Sequence, residues 1–202
     1  MELFDKQKQA NLKKYKFAKA RAQVDKDIIP FCDFINSLEN FYTTSSCAGR
    51  IVILKSTGKK KPQSFIKKWH HEVSFEEAKD VFEKYLLLEN INKHQDHIWL
   101  KQEGAIFHIV SRSLKDAEKI VVLARNLGWK RTGIQVIKKN RIILEIISTE
   151  RMDVPLINKG KKLVKNWEEY LIYLVDLANK KHIKARKQMT QLEKKIRNNL
   201  KN

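Results

Sequence analysis

The spacing of apolar residues predicts alternating helices and strands from residue 27 onwards. The first helix is predicted to begin at Asp27 as its N-cap, with Pro30 in the first turn, where the missing backbone N–H costs little. The apolar face of this helix recurs at helical spacing and consists of Ile28, Phe31, Ile35 and Leu38. Beyond Asn40 the pattern changes to short apolar runs that are typical of strands.

A second predicted helix follows three of these strands. The strands are predicted at Tyr42–Ser45, Ile51–Lys55 and Phe65–Val73. The basic segment Ser56–Pro62 is predicted to be a loop. Ser74 then begins the helix, and Glu77 completes a capping box with it. The buried stripe of the helix is predicted to consist of Phe75, Ala78, Phe82 and Tyr85.

A similar order recurs in the next part of the chain. Ser113 begins a helix much as Ser74 does, and Gly128 is suited to end it as the C′ residue. Strands are predicted before and after this helix, at Ile98–Lys101, Ile106–Ser111, Gln135–Ile137 and Ile142–Ile147. The recurrence indicates a weak internal duplication. The predicted fold is α+β: a mostly antiparallel sheet, open or barrel-like, from two related strand-strand-helix units, with helices outside and a long C-terminal helix.

Lysine is abundant at both ends of the chain. Residues 1–24 predict an exposed helix or arm, Val154–Leu156 is predicted to lead into a loop, and a long helix is predicted from Val164. The basic second half of that helix is either a solvated helix end or an arm that contacts nucleic-acid phosphates. These patterns predict a basic arm at 1–24, an α+β domain at 25–178 and a basic helical extension at 179–202.

Net charge indicates the class of partner. The 202 residues include 42 Lys and Arg against 23 Asp and Glu, which gives a formal charge of +19. A field of this sign attracts polyanions, and nucleic acid is the first partner that it indicates. The alternative is the Lys- and Glu-rich surface of a thermophilic protein, which an excess of one sign disfavours because ion-pair networks need both signs.

Several other classes of protein are disfavoured by the sequence. No apolar run reaches the length of about 18 residues that a membrane helix needs, and the polar N-terminal residues lack the apolar core of a signal peptide. Cys32 and Cys47 are too few for a disulfide framework or a complete structural zinc site, and free thiols fit a reducing cytosol. The chain has 6 Gly, with no glycine-rich nucleotide-binding turn, and no compact Asp/Glu/His group indicates a metal-dependent nuclease.

The run Thr43–Arg50 places small polar side chains and a thiol between two predicted strands. Hydroxyls, a tight turn with free N–H groups and the planar fork of Arg50 suit the binding of a carboxylate or phosphate. The alternative is an ordinary turn between strands, built from common turn residues. Cys47 likewise has two interpretations, as a reactive thiol or as a small buried apolar residue.

The segment Phe41-Tyr-Thr-Thr-Ser-Ser-Cys-Ala-Gly-Arg-Ile51 resembles the signature of a family of tRNA-modifying enzymes. This is the wyosine and wybutosine methyltransferase family that acts third in its pathway. The resemblance covers roughly residues 24 to 175, and further similar segments occur in the same order at Val24–Asp27, Ile106–Ile109, Arg112–Ala117, Gly128–Gly133, Ser148–Thr149, Val154–Leu156 and Lys159–Gly160.

The resemblance implies a reaction, a cofactor and a substrate. Members of this family transfer a methyl group from S-adenosylmethionine to N4 of a 4-demethylwyosine-type base in phenylalanine tRNA. The implied partner is therefore the anticodon loop of that tRNA, and the implied location is the cytoplasm. Direct methyl transfer needs alignment and loss of a proton from the ring nitrogen rather than a covalent enzyme intermediate. Cys47 therefore need not act as a nucleophile.

Candidate site residues follow from the resemblance together with their chemistry. His108 and His71 are candidate general bases, because neutral imidazole accepts protons near neutral pH. Candidate stacking surfaces for the base are Trp69, Trp129, Tyr42 and Phe41. The candidate cofactor- or substrate-binding residues are Ser45, Ser46, Cys47, Gly49, Arg50, Trp69, Lys130, Thr132, Gly133 and Lys159.

These residues give a specific hypothesis and leave one alternative function. Ser45, Ser46 and Arg50 would hold the cofactor carboxylate or a tRNA phosphate, while His108 faces the base. Lys130 stands where the resemblance leads us to expect arginine, and Thr132 stands where serine is usual. The alternative is a non-catalytic RNA- or ribosome-binding protein with the same basic surface.

Overall fold

The computed structural model describes residues 2–56, 64–88 and 97–200. The helices are α1 (Leu3–Ala20), α2 (Ile29–Ser37), α3 (Phe75–Leu88), α4 (Leu114–Asn126) and α5 (Trp167–Leu200). The strands are β1 (Phe41–Cys47), β2 (Arg50–Ser56), β3 (Ser64–Trp69), β4 (His97–Glu103), β5 (Ile106–Ser111), β6 (Gly133–Lys138), β7 (Arg141–Ile147), β8 (Arg151–Asn158) and β9 (Lys161–Lys162). Apart from Ser56, the predicted basic loop Ser56–Pro62 lies outside the described residues.

The chain divides into two compact units whose segments alternate along the sequence. The first unit comprises Met1–Ala48, Ala105–Thr149 and Ala185–Asn202, and the second comprises Gly49–Gly104 and Glu150–Lys184. Each unit contains one antiparallel sheet, which confirms the predicted α+β class. The boundaries predicted after residues 24 and 178 do not coincide with these divisions. A separate functional role for the two basic ends stays a prediction.

The first unit is built on a four-stranded sheet with the order β1-β5-β7-β6. Alternate residues of a strand point to the same side of the sheet. On one side, these residues pack against α2, α4 and the last turns of α5. The core on this face includes Phe31, Phe107, Ile109, Ile120, Leu144, Ile146 and Leu192. On the opposite face, Phe4 of α1 packs with Tyr42, Val110 and Ile143.

The last turns of α5 are part of this core. Ala185, Met189, Leu192 and Ile196 are buried there at helical spacing, and the lysines lie on the other side of the helix. This half of the helix was predicted to be either a solvated end or a phosphate-binding arm. Neither interpretation included this apolar face, which is interleaved with nine basic residues and one acid between Lys180 and Lys201.

The second unit contains a five-stranded sheet with the order β3-β2-β4-β8-β9. Its core is formed by α3 and the first turns of α5, which pack against apolar residues of β2, β4 and β8. The rings of Phe82 and Trp167 meet edge to face there, with centroids 5.4 Å apart, which is a favourable geometry for two aromatic rings.

Two predictions about the strands were wrong. The third strand was predicted to reach Val73 but ends at Trp69. The segment Val154–Leu156 was predicted to lead into a loop but lies in β8. A register shift beside Pro155 accommodates this proline, which has no N–H to donate to the neighbouring strand. The internal duplication stays a prediction: β1 and β2 of the first predicted unit belong to different sheets, and so do β4 and β5 of the second. No closed barrel occurs among the described residues.

The helix boundaries agree more closely with the sequence. The capping box is present: the Glu77 backbone N–H donates to Ser74 Oγ at 3.1 Å, and the Ser74 N–H donates to Glu77 Oε2 at 3.0 Å. Gly128 follows α4 with a φ of 87°, as expected for a C′ glycine. The predicted N-cap Asp27 was wrong, because Asp25 caps a short 3₁₀ turn, Lys26–Ile28, that precedes α2. No described helix combines the length and the apolar character that crossing a bilayer requires.

Candidate active site

The run Thr43–Arg50 consists of the end of β1, a turn and the start of β2. Gly49 has a φ of 96°, a left-handed conformation that glycine adopts without steric cost. The Ala48 backbone N–H donates to Asp25 Oδ2 at 3.3 Å. The other oxygen of Asp25 accepts from the Asp27 N–H at 3.2 Å. The carboxylate of Asp25 therefore fixes the end of β1 to the start of the 3₁₀ turn.

An irregularity in β1 brings Ser45 against His108. The register between β1 and β5 shifts between Thr43 and Ser46, as in a β-bulge. Ser45 Oγ then lies 2.9 Å from Nδ1 of His108, and the carbonyl oxygen of Ser45 lies 3.1 Å from the same nitrogen. Bulges often redirect a side chain beside a functional site. Here the bulge gives one ring nitrogen two oxygen neighbours from a single residue.

The other ring nitrogen of His108 faces Glu145. His108 and Glu145 are register partners on β5 and β7, and Nε2 lies 3.0 Å from Glu145 Oε1. The second oxygen of Glu145 accepts from Gln135 Nε2 at 2.8 Å. The side chains of His108 and Glu145 are 27% and 20% exposed, so this hydrogen-bonded chain is partly shielded but reachable from solvent. It runs in the order Ser45, His108, Glu145, Gln135.

Open space adjoins this row of hydrogen-bonded side chains at Gly133, which is the register partner of Glu145 on β6. A Cβ atom built on Gly133 would meet no other atom within 4 Å. The sheet therefore leaves room beside the carboxylate that orients His108.

Ser45 also lines a cavity of about 310 Å³. This volume falls near the lower end of the range of about 300–1,000 Å³ that is usual for small-molecule sites. The cavity is bounded by α1, the segment Gln23–Asp25, α2 and β1. Its apolar wall includes Tyr15, Ala18, Val24 and Ile28, and its polar wall includes Asn11, Lys14, Thr44, Ser45 and Ser46.

Two groups in the wall of this cavity have distinctive environments. Ser46 Oγ is enclosed and lies next to the Cys32 thiol. Burial raises the pKa of the Cys32 thiol to about 11, so Cys32 contributes a neutral, weakly polar surface.

The other predicted residues of the first unit fall into two groups. Trp129, Tyr42 and Phe41 are buried in apolar clusters and serve as core residues rather than as exposed stacking surfaces. Cys47 is half-buried near the end of β1, and Lys130 is exposed. Thr132 is 1% exposed, and its Oγ1 has no hydrogen-bond partner within the part of the chain that the structure describes.

The predicted residues of the second unit have contacts of their own. Arg50 Nε donates to Glu103 Oε2 at 2.6 Å, and its guanidinium lies 4.7 Å from the centre of the Phe65 ring. Trp69 is 4% exposed and belongs to the core. His71 lies beyond β3 rather than in a strand, and its Nδ1 is 2.7 Å from the carbonyl of Glu72. Lys159 is exposed in the turn after β8, with a φ of 47°.

Comparison with known proteins identifies the family. The family model described as Methyltransferase TYW3 matches residues 6–198. The tRNA(Phe) 7-((3-amino-3-carboxypropyl)-4-demethylwyosine(37)-N(4))-methyltransferase 1 of Pyrococcus horikoshii is 38% identical over 198 residues, which cover 96% of this chain and 95% of that protein. The chain belongs to the TYW3 methyltransferase family.

Other similar proteins support this assignment. The enzyme of the same name from Thermococcus kodakarensis is 36% identical over 96% of this chain and 94% of its own length. A solved structure, the PH1069 protein from Pyrococcus horikoshii, has a TM-score of 0.84 and 36% identity, and covers 96% of this chain and 95% of its own. A hypothetical protein from Aeropyrum pernix has a TM-score of 0.72 and 25% identity, with coverage of 86% and 98%.

In this TYW3-family chain, Glu145 and Gln135 belong to the candidate site but were not predicted from the sequence. Glu145 is the single acid in the apolar strand Arg141–Ile147, where its neighbours Leu144 and Ile146 point into the core. A lone acid on the outer side of such a strand was a usable signal, but its partner depends on the pairing of β5 with β7. Ser45 and His108 were both predicted, although their direct contact was not.

Proposed function

We propose that this chain uses S-adenosylmethionine to methylate N4 of a 4-demethylwyosine-type base next to the anticodon of phenylalanine tRNA. Membership of the TYW3 family supports the reaction class, and the names of several relatives specify this base and this nitrogen. The observation that carries the proposal is the position of Ser45, which lines a ligand-sized cavity and also contacts His108. A donor pocket and a proton acceptor therefore meet at one residue.

The cavity beside Ser45 suits the methyl donor. Its apolar wall, which includes Tyr15 and Val24, offers a surface for an adenine ring. Lys14 offers a cation, and Thr44 and Ser46 offer hydroxyls, for the amino-acid carboxylate. When bound, S-adenosylmethionine supplies a methyl group on a positively charged sulfur, and the sulfur keeps the bonding electrons.

His108 supplies the proton acceptor in this proposal. A ring nitrogen attacks the methyl group best when it loses its own proton, and neutral imidazole is the side chain suited to receive it. Glu145 faces the imidazole at 3.0 Å and stabilises the positive charge that forms on it. The same carboxylate holds the ring in one orientation, since Gln135 fixes its second oxygen. His108 and Glu145 on the first sheet therefore act on the base, and the residues of the cavity hold the donor.

The partner follows from the substrate. Bases in an anticodon loop can be splayed out and read at their edges, which an exposed site on a sheet face permits. The basic surface supplies affinity for the backbone, and the exposed Lys187, Lys194 and Lys195 on the outer side of α5 are candidates to contact it. Modification of this tRNA places the proposed reaction in the cytoplasm.

The decisive experiment uses phenylalanine tRNA that carries the unmethylated tricyclic base. After incubation with the protein and S-adenosylmethionine, nucleosides from the anticodon loop are measured by mass spectrometry. We expect the tricyclic nucleoside to gain one methyl group, and we expect no change when the donor is omitted. An unchanged nucleoside, together with no donor binding in calorimetry with or without tRNA, would favour the plain RNA-binding protein.

Filling the cavity tests the donor pocket. We expect Ala18→Leu to weaken S-adenosylmethionine binding by about tenfold or more, because the added carbons occupy space that the donor needs. Leucine is a strong helix former, so α1 tolerates the change. Isothermal titration calorimetry measures the dissociation constant. The matched control is Ala20→Leu, at an exposed position of the same helix. Equal donor affinity in the two variants would place the donor elsewhere.

A further inference from the structure

Both ring nitrogens of His108 are engaged within the first unit. Nε2 lies 3.0 Å from Glu145 Oε1, and Nδ1 lies 2.9 Å from Ser45 Oγ. A histidine that took a proton directly from a bound base would need one nitrogen facing that base. In this structure the Ser45 hydroxyl occupies that position, and Ser45 is itself exposed.

The carboxylate of Glu145 determines which ring nitrogen carries the proton. An ionised carboxylate can only accept hydrogen bonds, so the nitrogen that faces Glu145 must be an N–H donor. In the neutral ring, Nδ1 of His108 therefore has the lone pair and accepts from the Ser45 hydroxyl. Gln135 donates to the other carboxylate oxygen at 2.8 Å and keeps Glu145 in place. The hydrogen bonds thus run in one direction, from the Ser45 hydroxyl towards Nδ1.

We propose that Ser45 is a proton relay: its hydroxyl contacts the substrate N4–H and passes the proton to His108 Nδ1, while Glu145 is the positioning residue that fixes the tautomer. This inference rests on the proposed methylation of N4 and deepens it. It changes the role predicted for Ser45, which was expected to hold a carboxylate or phosphate. The remaining wall of the cavity is left to bind the donor.

The proton balance of the relay closes without a free alkoxide. As the bond from N4 to the methyl carbon forms, the N4–H bond breaks and its electrons stay on N4. Ser45 Oγ receives that proton while its own proton moves to His108 Nδ1. The products are a methylated N4, an unchanged Ser45 hydroxyl and an imidazolium ring, which returns its proton to solvent after the product leaves.

The Ser45 carbonyl stabilises the second state of the ring. It lies 3.1 Å from Nδ1, so once Nδ1 carries a proton it has an acceptor in addition to the hydroxyl. The imidazolium then donates to Ser45 on one side and to Glu145 on the other, which satisfies both N–H groups. The β-bulge at Thr43–Ser46 makes this possible, because it brings the hydroxyl and the carbonyl of one residue to the same nitrogen.

Nuclear magnetic resonance of the protein alone tests the tautomer. Long-range ¹H–¹⁵N spectra of histidine-labelled protein distinguish the two neutral forms, and loss of a signal in His108→Ala assigns it. We expect His108 to be protonated at Nε2, and we expect Glu145→Gln to remove this preference, because an amide can both donate and accept. Glu118→Gln, at an exposed position of α4, is the control and should leave the signal unchanged. A neutral ring protonated at Nδ1 in the unaltered protein would overturn the proposal.

Single-turnover methylation tests the relay itself. At saturating donor, we expect Ser45→Ala to slow the methyl-transfer step by about a hundredfold, and Ser45→Thr, which keeps a hydroxyl, to restore most of the rate. A Ser45→Ala protein that methylates at the normal rate would rule out the relay. A Ser45→Ala protein with unchanged rate of transfer but weak donor binding would also overturn it, in favour of a binding role. The tautomer measurement needs no tRNA, so failure of the relay is distinguishable from a wrong substrate.

Discussion

Replacing His108 with alanine is expected to slow methylation by about 10²–10⁴-fold while donor and tRNA affinities stay at their normal values. The imidazole is the proton acceptor of the proposed reaction, and its removal leaves Ser45 with no basic nitrogen to receive a proton. Binding should be spared, because His108 is absent from the lining of the cavity that we propose for the donor. Single-turnover rates at saturating donor give the transfer step, and calorimetry gives the two affinities.

A second variant at this position separates chemistry from packing. His108→Gln keeps a side chain that can hydrogen-bond with Ser45 and Glu145 but cannot take up a proton near neutral pH, so we expect it to be as slow as His108→Ala. The control is His97→Ala, at a half-buried position in β4 of the second unit, which should methylate normally. Normal methylation by His108→Ala would remove His108 from the mechanism. Normal methylation by His108→Gln alone would mean that the ring has only a structural role.

The candidate residues near His108 show what a sequence can and cannot predict. The resemblance identified the segments that contain Ser45 and His108, since short motifs are local in the chain. Their contact joins residues 63 positions apart and depends on a bulge in β1. The position of a bulge is not encoded by alternation of apolar and polar residues, because it interrupts that alternation. The link from Ser45 to Glu145 therefore required the register of the sheet.

Aromatic residues show a second limit of prediction from a single sequence. Trp69 and Trp129 were proposed as stacking surfaces because RNA-binding sites often use exposed aromatic rings. Both are buried, and the Trp129 ring packs 5.9 Å from that of Phe107 in the core of the first unit. A single sequence does not distinguish an aromatic residue on the core face from one on the outer face where the strand or turn is irregular. The burial of Trp129 within a turn between α4 and β6 is such a case.

The two helix starts that carry a capping serine were predicted well, because such a cap involves residues three positions apart. The capping box of Ser74 and Glu77 forms as predicted, and Ser113 accepts from the Asp116 N–H at 3.1 Å. The division into units was not predictable in this way. Segments distant in sequence share one sheet in each unit, and the first unit takes its last segment from Ala185–Asn202. The contribution of these final turns to the core can be measured as a change in the free energy of unfolding.

Leu192→Ala is therefore expected to lower the free energy of unfolding by about 2–5 kcal/mol, the usual cost of removing a fully buried leucine side chain. Leu192 is 0% exposed and packs in the core of the first unit with Met189 and Ile196. Urea denaturation followed by circular dichroism measures the loss as a lower midpoint at similar slope. The last turns of α5 are thus predicted to stabilise the fold, whatever their basic side binds.

The matched control lies one turn away on the exposed side of the same helix. Lys195→Ala should change the free energy of unfolding by no more than about 0.5 kcal/mol, because exposed substitutions rarely exceed that value. The same variant should weaken tRNA binding and reduce its dependence on salt, since one phosphate contact is lost. Equal stability of Leu192→Ala and the unaltered protein would contradict the packing of this helix. If the packing is confirmed, one helix combines two roles: its apolar side completes the core, and its basic side remains available for RNA.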